Sequence, residues 1–112
     1  MLCQLPAIGP SRLSLARVTS DPFPGAVPPV RQYPVTVSGV NIAVHEWGAA
    51  DAEPMFLVHG GFDFGRTFEV FAPMLAESGW RVITWDMRGH GDSDPAALYS
   101  MDADLRDMFG VM

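Results

Sequence analysis

His59-Gly60-Gly61-Phe62 and Arg88-Gly89-His90-Gly91-Asp92-Ser93 are the two stretches of this sequence whose residue types and order could do chemistry. In the first, two consecutive glycines let the backbone turn sharply and approach a bound molecule with no Cβ in the way. The stretch follows the apolar run Met55-Phe56-Leu57-Val58 and precedes a segment with helical spacing. In open α/β sheets ligands sit beyond the carboxyl ends of the strands. Backbone N–H groups here, near a helix N-terminus, are therefore placed to meet an oxygen that gains negative charge during a reaction. In the second stretch, Gly89 and Gly91 around His90 permit a tight excursion of the chain, and Asp86 and Arg88 can fix it by charge-assisted hydrogen bonds. Each motif also has a plain structural reading. The first can be a Gly-rich strand-to-helix turn without a ligand, and Asp86 with Arg88 can be a solvated ion pair on a turn.

Phe56-Leu57-Val58-His59-Gly60-Gly61-Phe62 resembles the oxyanion loop of the α/β-hydrolases. Trp85-Asp86-Met87-Arg88-Gly89-His90-Gly91-Asp92-Ser93 is similar to that family's fourth-strand ending with its Arg-Gly-His-Gly-x-Ser loop. The resemblance runs from about Tyr33 to Met112. It implies an α/β fold, the N-terminal part of an α/β-hydrolase sheet, with a β-hairpin followed by β-α-β-α. It also implies an oxyanion-hole N–H from Gly61 or Phe62, with Gly61 favoured. His59, beside Gly60, resembles a residue that holds the loop, not a general base. Asp86, Arg88, Gly89, His90, Gly91 and Ser93 carry the second motif.

The family's chemistry is hydrolysis of ester, amide, thioester or related bonds in a small-molecule substrate. It uses a Ser or, in some branches, Asp nucleophile in a Gly-x-Nuc-x-Gly elbow, followed by an acid and a C-terminal His. No Gly-x-Ser-x-Gly occurs in the 112 residues. Ser93 is followed by Asp94-Pro95, and the last histidine, His90, precedes any elbow. The expectation is thus the N-terminal portion of a hydrolase, cut before its nucleophile, acid and base. Two alternatives stand beside it. One is a catalytically inactive truncated product that acts only by association. The other is a dinucleotide-binding βαβ unit with Asp86 ending its second strand. Against the latter, Gly60, Gly61 and Gly65 read G-G-x-x-x-G and not G-x-G-x-x-G.

The elements that must position these motifs are legible from periodicity. Val35 and Val37 alternate with Thr36, Ser38-Gly39 supplies a turn, and Val40, Ile42 and Val44 alternate up to Trp47, which predicts a β-hairpin. Gly48 to Glu53 reads as a loop closed by Pro54, and Met55–Val58 as a strand covered on both faces. Phe68, Phe71 and Leu75, with Val70 and Met74 beside them, have helical spacing; Pro73 kinks that helix or starts a second segment, and Gly79 sits just past its end. Trp80–Trp85 reads as the next strand, and Ser100 caps a helix over Met101–Met112. In the hydrolase fold, Met55–Val58 would be an internal strand. Lacking its outer neighbour it forms an exposed apolar edge, so self-association of the isolated chain is expected.

Composition narrows the classes further. Seven Lys+Arg, all of them Arg, against thirteen Asp+Glu give a net charge of −6. That balance argues against nucleic acid or an anionic membrane as partner, since both are held by clustered cations. No apolar run approaches the roughly 18–20 residues of a membrane helix. Residues 1–33 hold six of the ten prolines and read as a tail, outside the domain at 34–112. Pro6, Gly9 and Pro10 interrupt any signal-like stretch. A disordered tail on a cytoplasmic protein is therefore expected ahead of a transit peptide carrying Arg12 and Arg17. Cys3 is the single cysteine and makes no intrachain disulfide. His45, His59 and His90 have no ligand spacing, so neither metal nor cofactor is expected. Trp47, Trp80 and Trp85 are core or strand-face aromatics, and Phe62 with Phe64 lines either an acyl pocket or the core.

Overall fold

In a computed structural model, which describes residues 23–112, the alternating segments at Arg31–Val37 (β1) and Val40–Trp47 (β2) pair antiparallel, with Val37 opposite Val40. The turn between them, Ser38-Gly39, has φ of +49° and +80°. Two left-handed residues in a two-residue loop match the right-handed twist of the flanking strands. β1 begins before Tyr33, and the proline-rich block just ahead of it is bound to the folded domain: the Val27 N–H donates to Glu69 O, after the turn Gly65–Phe68, and the Val30 N–H to Glu46 O of β2, each at 2.8 Å. Trp47 Nε1 donates to Val27 O at 2.8 Å. Residues 1–22, with Cys3, Arg12 and Arg17, lie outside the described residues.

The next strand is Glu53–Leu57 (β3), two residues earlier than its apolar run suggests. Its order of pairing explains why Pro54 is admitted: the sheet runs β1-β2-β4-β3, so among the described residues β3 is an edge and Pro54 needs no donor on its open side. β4, Trp80–Trp85, pairs parallel with β3 and antiparallel with β2. Coverage of both faces of the apolar run is not what is found, for Met55, Phe56 and Leu57 are half-buried and Val58 is exposed.

The segment between β3 and β4 corrects a second expectation. It is a single 3₁₀ turn, Gly65–Phe68, followed by a short α-helix, Phe71–Glu77 (α1). Pro73 falls in the first turn of α1, where backbone N–H groups have no partner within the helix, so it starts the segment without breaking a bond. Gly79 ends it with φ +99° and its N–H on Ala76 O at 3.0 Å. Phe71 and Met74 point outward, and Phe68, Ala72, Leu75 and Ala76 turn inward instead. They pack with Trp47 and Val82 on one face of the sheet. The final helix, Met101–Val111 (α2), is capped by the Ser100 hydroxyl, which accepts the Ala103 N–H at 3.2 Å. It lays Met108 and Val111 against Ile42, Val44, Ile83 and Trp85 on the other face. The result is a sheet with a helix on each side, an α/β architecture.

On the α2 face the row Ile42, Val44 ends in a fully buried acid, Glu46. Arg31 Nε reaches it at 2.6 Å, Arg81 Nη2 at 2.6 Å, and the Tyr33 hydroxyl also donates to it. Burial alone pushes the Glu46 carboxyl up, but the hydrogen bonds from Arg81, Tyr33 and Arg31 prevail and lower it to about 2. A depressed carboxyl contributes stability that is complete above its unfolded value near 4.5 and is lost as pH falls toward 2. Solvent reaches both half-buried arginines, so the loss is on the order of 2 kcal/mol. Urea midpoints measured across that window should fall steadily in the native chain, and the slope should flatten in Glu46→Gln.

Candidate active site

Both sequence motifs arrive at the carboxyl ends of the two parallel strands, β3 and β4. Backbone geometry there departs from expectation in one respect. Neither Gly60 nor Gly61 takes a left-handed conformation; Phe62 does, with φ +62° and a fully exposed side chain. Among the described residues, Phe62 therefore packs in no core. No α-helix begins at this loop either, since Gly65–Phe68 is a 3₁₀ turn and α1 starts only at Phe71. What this loop itself presents at the strand ends is therefore individual N–H groups and not an α-helix terminus.

His59 is buried beneath the loop. Its Nδ1 lies 2.7 Å from Gly60 O, a carbonyl that can only accept, so Nδ1 carries the proton. Nε2 then accepts the Met87 N–H at 3.0 Å, tying the end of β3 to the end of β4. With both ring nitrogens engaged, His59 has no free lone pair for proton abstraction. His90 repeats the arrangement: Nδ1 donates to Arg88 O at 3.0 Å, and Nε2 faces the Phe62 N–H at 3.4 Å. The two rings lie 5.5 Å apart. Among the described residues no hydrogen bond uses the Gly61 N–H, and the residue is exposed.

Asp86 and Arg88 are neither solvated nor paired with each other. Asp86 is buried, with Oδ1 accepting the Gly65 N–H at 2.6 Å, and Oδ2 accepting the Asp92 N–H at 2.8 Å and His45 Nε2 at 3.2 Å. Burial pushes its carboxyl up, and these donors, His45 first, outweigh that and hold it below the usual carboxylate range. His45, Asp86 and Asp92 bring potential ligand atoms within 4.8 Å of one another. The Asp86 oxygens and His45 Nε2 are nevertheless already committed to one another and to backbone donors, so the group is a closed hydrogen-bond network and not an open ligand set. Arg88 is also buried and forms a bidentate pair with Asp107 of α2, Nε to Oδ2 at 2.7 Å and Nη2 to Oδ1 at 2.9 Å, with Nη1 on Leu98 O at 2.9 Å. Ser93 Oγ donates to Asp86 O at 2.5 Å and accepts the Ala43 N–H at 2.8 Å, so its hydroxyl is a staple to β2.

The loop glycines have a geometric requirement at one position above all. Gly91 has φ +47°, and a Cβ there would stand 2.3 Å from Asp86 Oδ2. Gly91→Ala is expected to cost about 2 kcal/mol or more, combining left-handed strain with the loss of the Asp86 contacts. Equilibrium urea unfolding measures it. His45 and Asp107 were not legible as parts of this network; the one signal for Asp107 is its i, i+4 spacing from Ala103 on the inward face of α2.

The dinucleotide alternative does not fit this geometry. Asp86, which would have to meet a ribose, is buried and spent, and Gly65 is closed in, for a Cβ there would meet His45, Asp86 and Thr84 at 3.0–3.2 Å. Among the described residues, no helix is long and apolar enough to cross a membrane.

Comparison with known proteins agrees with the architecture. A serine hydrolase-like protein of Dictyostelium discoideum is 42% identical over 55 residues, 48% of this chain and 15% of that protein. A non-heme chloroperoxidase of Burkholderia pyrrocinia is 33% identical over 81 residues, 71% of this chain and 29% of its own length. Among solved structures, the thioesterase domain from the curacin biosynthetic pathway superposes with a TM-score of 0.68 at 26% identity, over 70% of this chain and 30% of that domain. The chain thus spans less than a third of the length of each of these proteins. The family model described as alpha/beta hydrolase fold matches residues 53–110, more than half of the sequence, and the chain belongs to that family.

Proposed function

We propose that this chain supplies the oxyanion loop and the first strands of a hydrolase that acts on ester, amide or related bonds of a small-molecule substrate. Its Ser nucleophile lies outside these 112 residues. The observation that carries the reading is the Gly61 N–H: it is exposed at the carboxyl end of β3 and makes no hydrogen bond among the described residues, while His59 and His90 pin the residues on either side of it. Attack of a serine oxygen on the substrate carbonyl moves charge onto the carbonyl oxygen, and an unspent N–H held at that oxygen stabilises the tetrahedral intermediate. His59 and His90, having no free lone pair, take no proton; they hold the loop.

The test is covalent labelling of the protein that carries this chain with a fluorophosphonate probe. A single modified serine in a Gly-x-Ser-x-Gly context supports the proposal. Isotopic oxygen from water appearing in one aspartate after turnover assigns the Asp-nucleophile branch instead, and the absence of both adduct and turnover sinks the enzymatic reading.

A second reading, association without catalysis, is favoured by the position of β3. Among the described residues it pairs only with β4, and Val58 is exposed beside it. Its open edge is a template for another strand. The 112-residue chain is expected to sediment as concentration-dependent oligomers; a monomer with a sharp two-state melt removes this reading.

A further inference from the structure

A left-handed phenylalanine is unfavourable, because its Cβ crowds the following carbonyl. Residues held this way persist where the surrounding structure over-determines them, and an aromatic ring can do so by packing. Phe62 does not: its side chain is fully exposed. What remains to hold its φ at +62° is the backbone, and the Phe62 N–H is aimed at His90 Nε2 at 3.4 Å.

The acceptor is far better anchored than the loop it meets. His90 Nδ1 must donate to Arg88 O, which fixes the tautomer and leaves Nε2 as an acceptor. The His90 N–H donates to Met87 O at 2.9 Å, and His90 O accepts the Ser93 N–H at 3.0 Å. Arg88 in turn is clamped by Asp107 and Leu98 O. The hold therefore runs from a fixed post to an exposed loop. His59, on Gly60 O, is the other post, and Gly61 lies between the two.

We propose that His90 is a positioning residue: by accepting the Phe62 N–H it keeps Phe62 left-handed, and so sets the backbone of Gly61 with its N–H unspent. This rests on the reading of Gly61 as the oxyanion donor, and the experiment separates the two. It uses a double-mutant cycle between His90→Ala and Phe62→Gly, since glycine adopts a positive φ without support and the Phe62 ring is fully exposed among the described residues.

Amide exchange at Phe62 in the 112-residue chain is expected to quicken about five- to tenfold in H90A, with the Val82 amide unchanged as a check on the fold. H90Q, whose side-chain oxygen also accepts an N–H, is expected to retain most of the protection. In the hydrolase that carries this chain, H90A is expected to lower kcat about tenfold with KM within about twofold. In an F62G background the same change should cost less than about twofold. An equal loss in both backgrounds, or unchanged exchange at Phe62 in H90A, overturns the proposal. Quickened exchange with a flat kcat in every variant upholds the hold on Phe62 and overturns the assignment of Gly61.

Discussion

Asp107→Ala is expected to destabilise the fold by about 3–5 kcal/mol, a large share of the stability of a domain this size. Both partners of the Arg88–Asp107 pair are buried. The guanidinium has three of its donors satisfied, two by one carboxylate and one by Leu98 O. Truncating the acid leaves the buried charge without its counter-ion, with Leu98 O as the one remaining acceptor. The arginine cannot escape by losing its proton, because guanidinium is a very weak acid even without a carboxylate beside it. The double change Arg88→Met with Asp107→Leu removes the charge together with its partner and should recover most of the loss. Urea unfolding of the three variants decides it. A double variant as unstable as Asp107→Ala would show that the pair contributes more than mutual compensation.

Replacing the Gly61 amide by an ester, through incorporation of glycolic acid at that position, is expected to lower kcat of the intact hydrolase by about 10²–10³-fold, the scale of one lost oxyanion donor or about 2.7–4 kcal/mol. The ester deletes one N–H and adds no side chain, so the loop keeps its shape. KM should change little, because the interaction grows in the transition state and is weak with the ground-state carbonyl. The same replacement at Phe62 removes an N–H already directed at His90 and should cost far less. If the two positions exchange these effects, Phe62 is the donor and Gly61 the spacer. Steady-state kinetics on an activated ester reads both.

The hairpin, the Ser100 cap and the Gly79 stop were legible in the sequence because each is a local device, set by residues within a turn of one another. The two motif loops were legible as well, and so was their place at the ends of parallel strands. What joins them was not. His59 finds the Met87 N–H and Phe62 finds His90 across 28 residues, Arg88 finds Asp107 across 19, and His45 finds Asp86 across 41. No periodicity marks such partners. Asp86 and Arg88 looked equally suited to pairing with each other, and only the folded sheet sends one to β2 and the other to α2. The Gly60-Gly61 pair advertised a sharp glycine turn, yet the left-handed residue is the phenylalanine after it. Composition identifies where a chain can bend; tertiary anchors decide which residue does.

Strand order also sets a timetable for synthesis. A chain emerges from the ribosome N-terminus first. The β1–β2 hairpin closes through a two-residue turn and finds both its strands before anything later is made. β3 is next to appear, but its partner among the described residues is β4, which is made after it. At about 5–20 residues per second, Met55, Phe56 and Leu57 wait for on the order of a second or more with every backbone group open. This interval, before β4 arrives, is when a nascent-chain chaperone has most to bind.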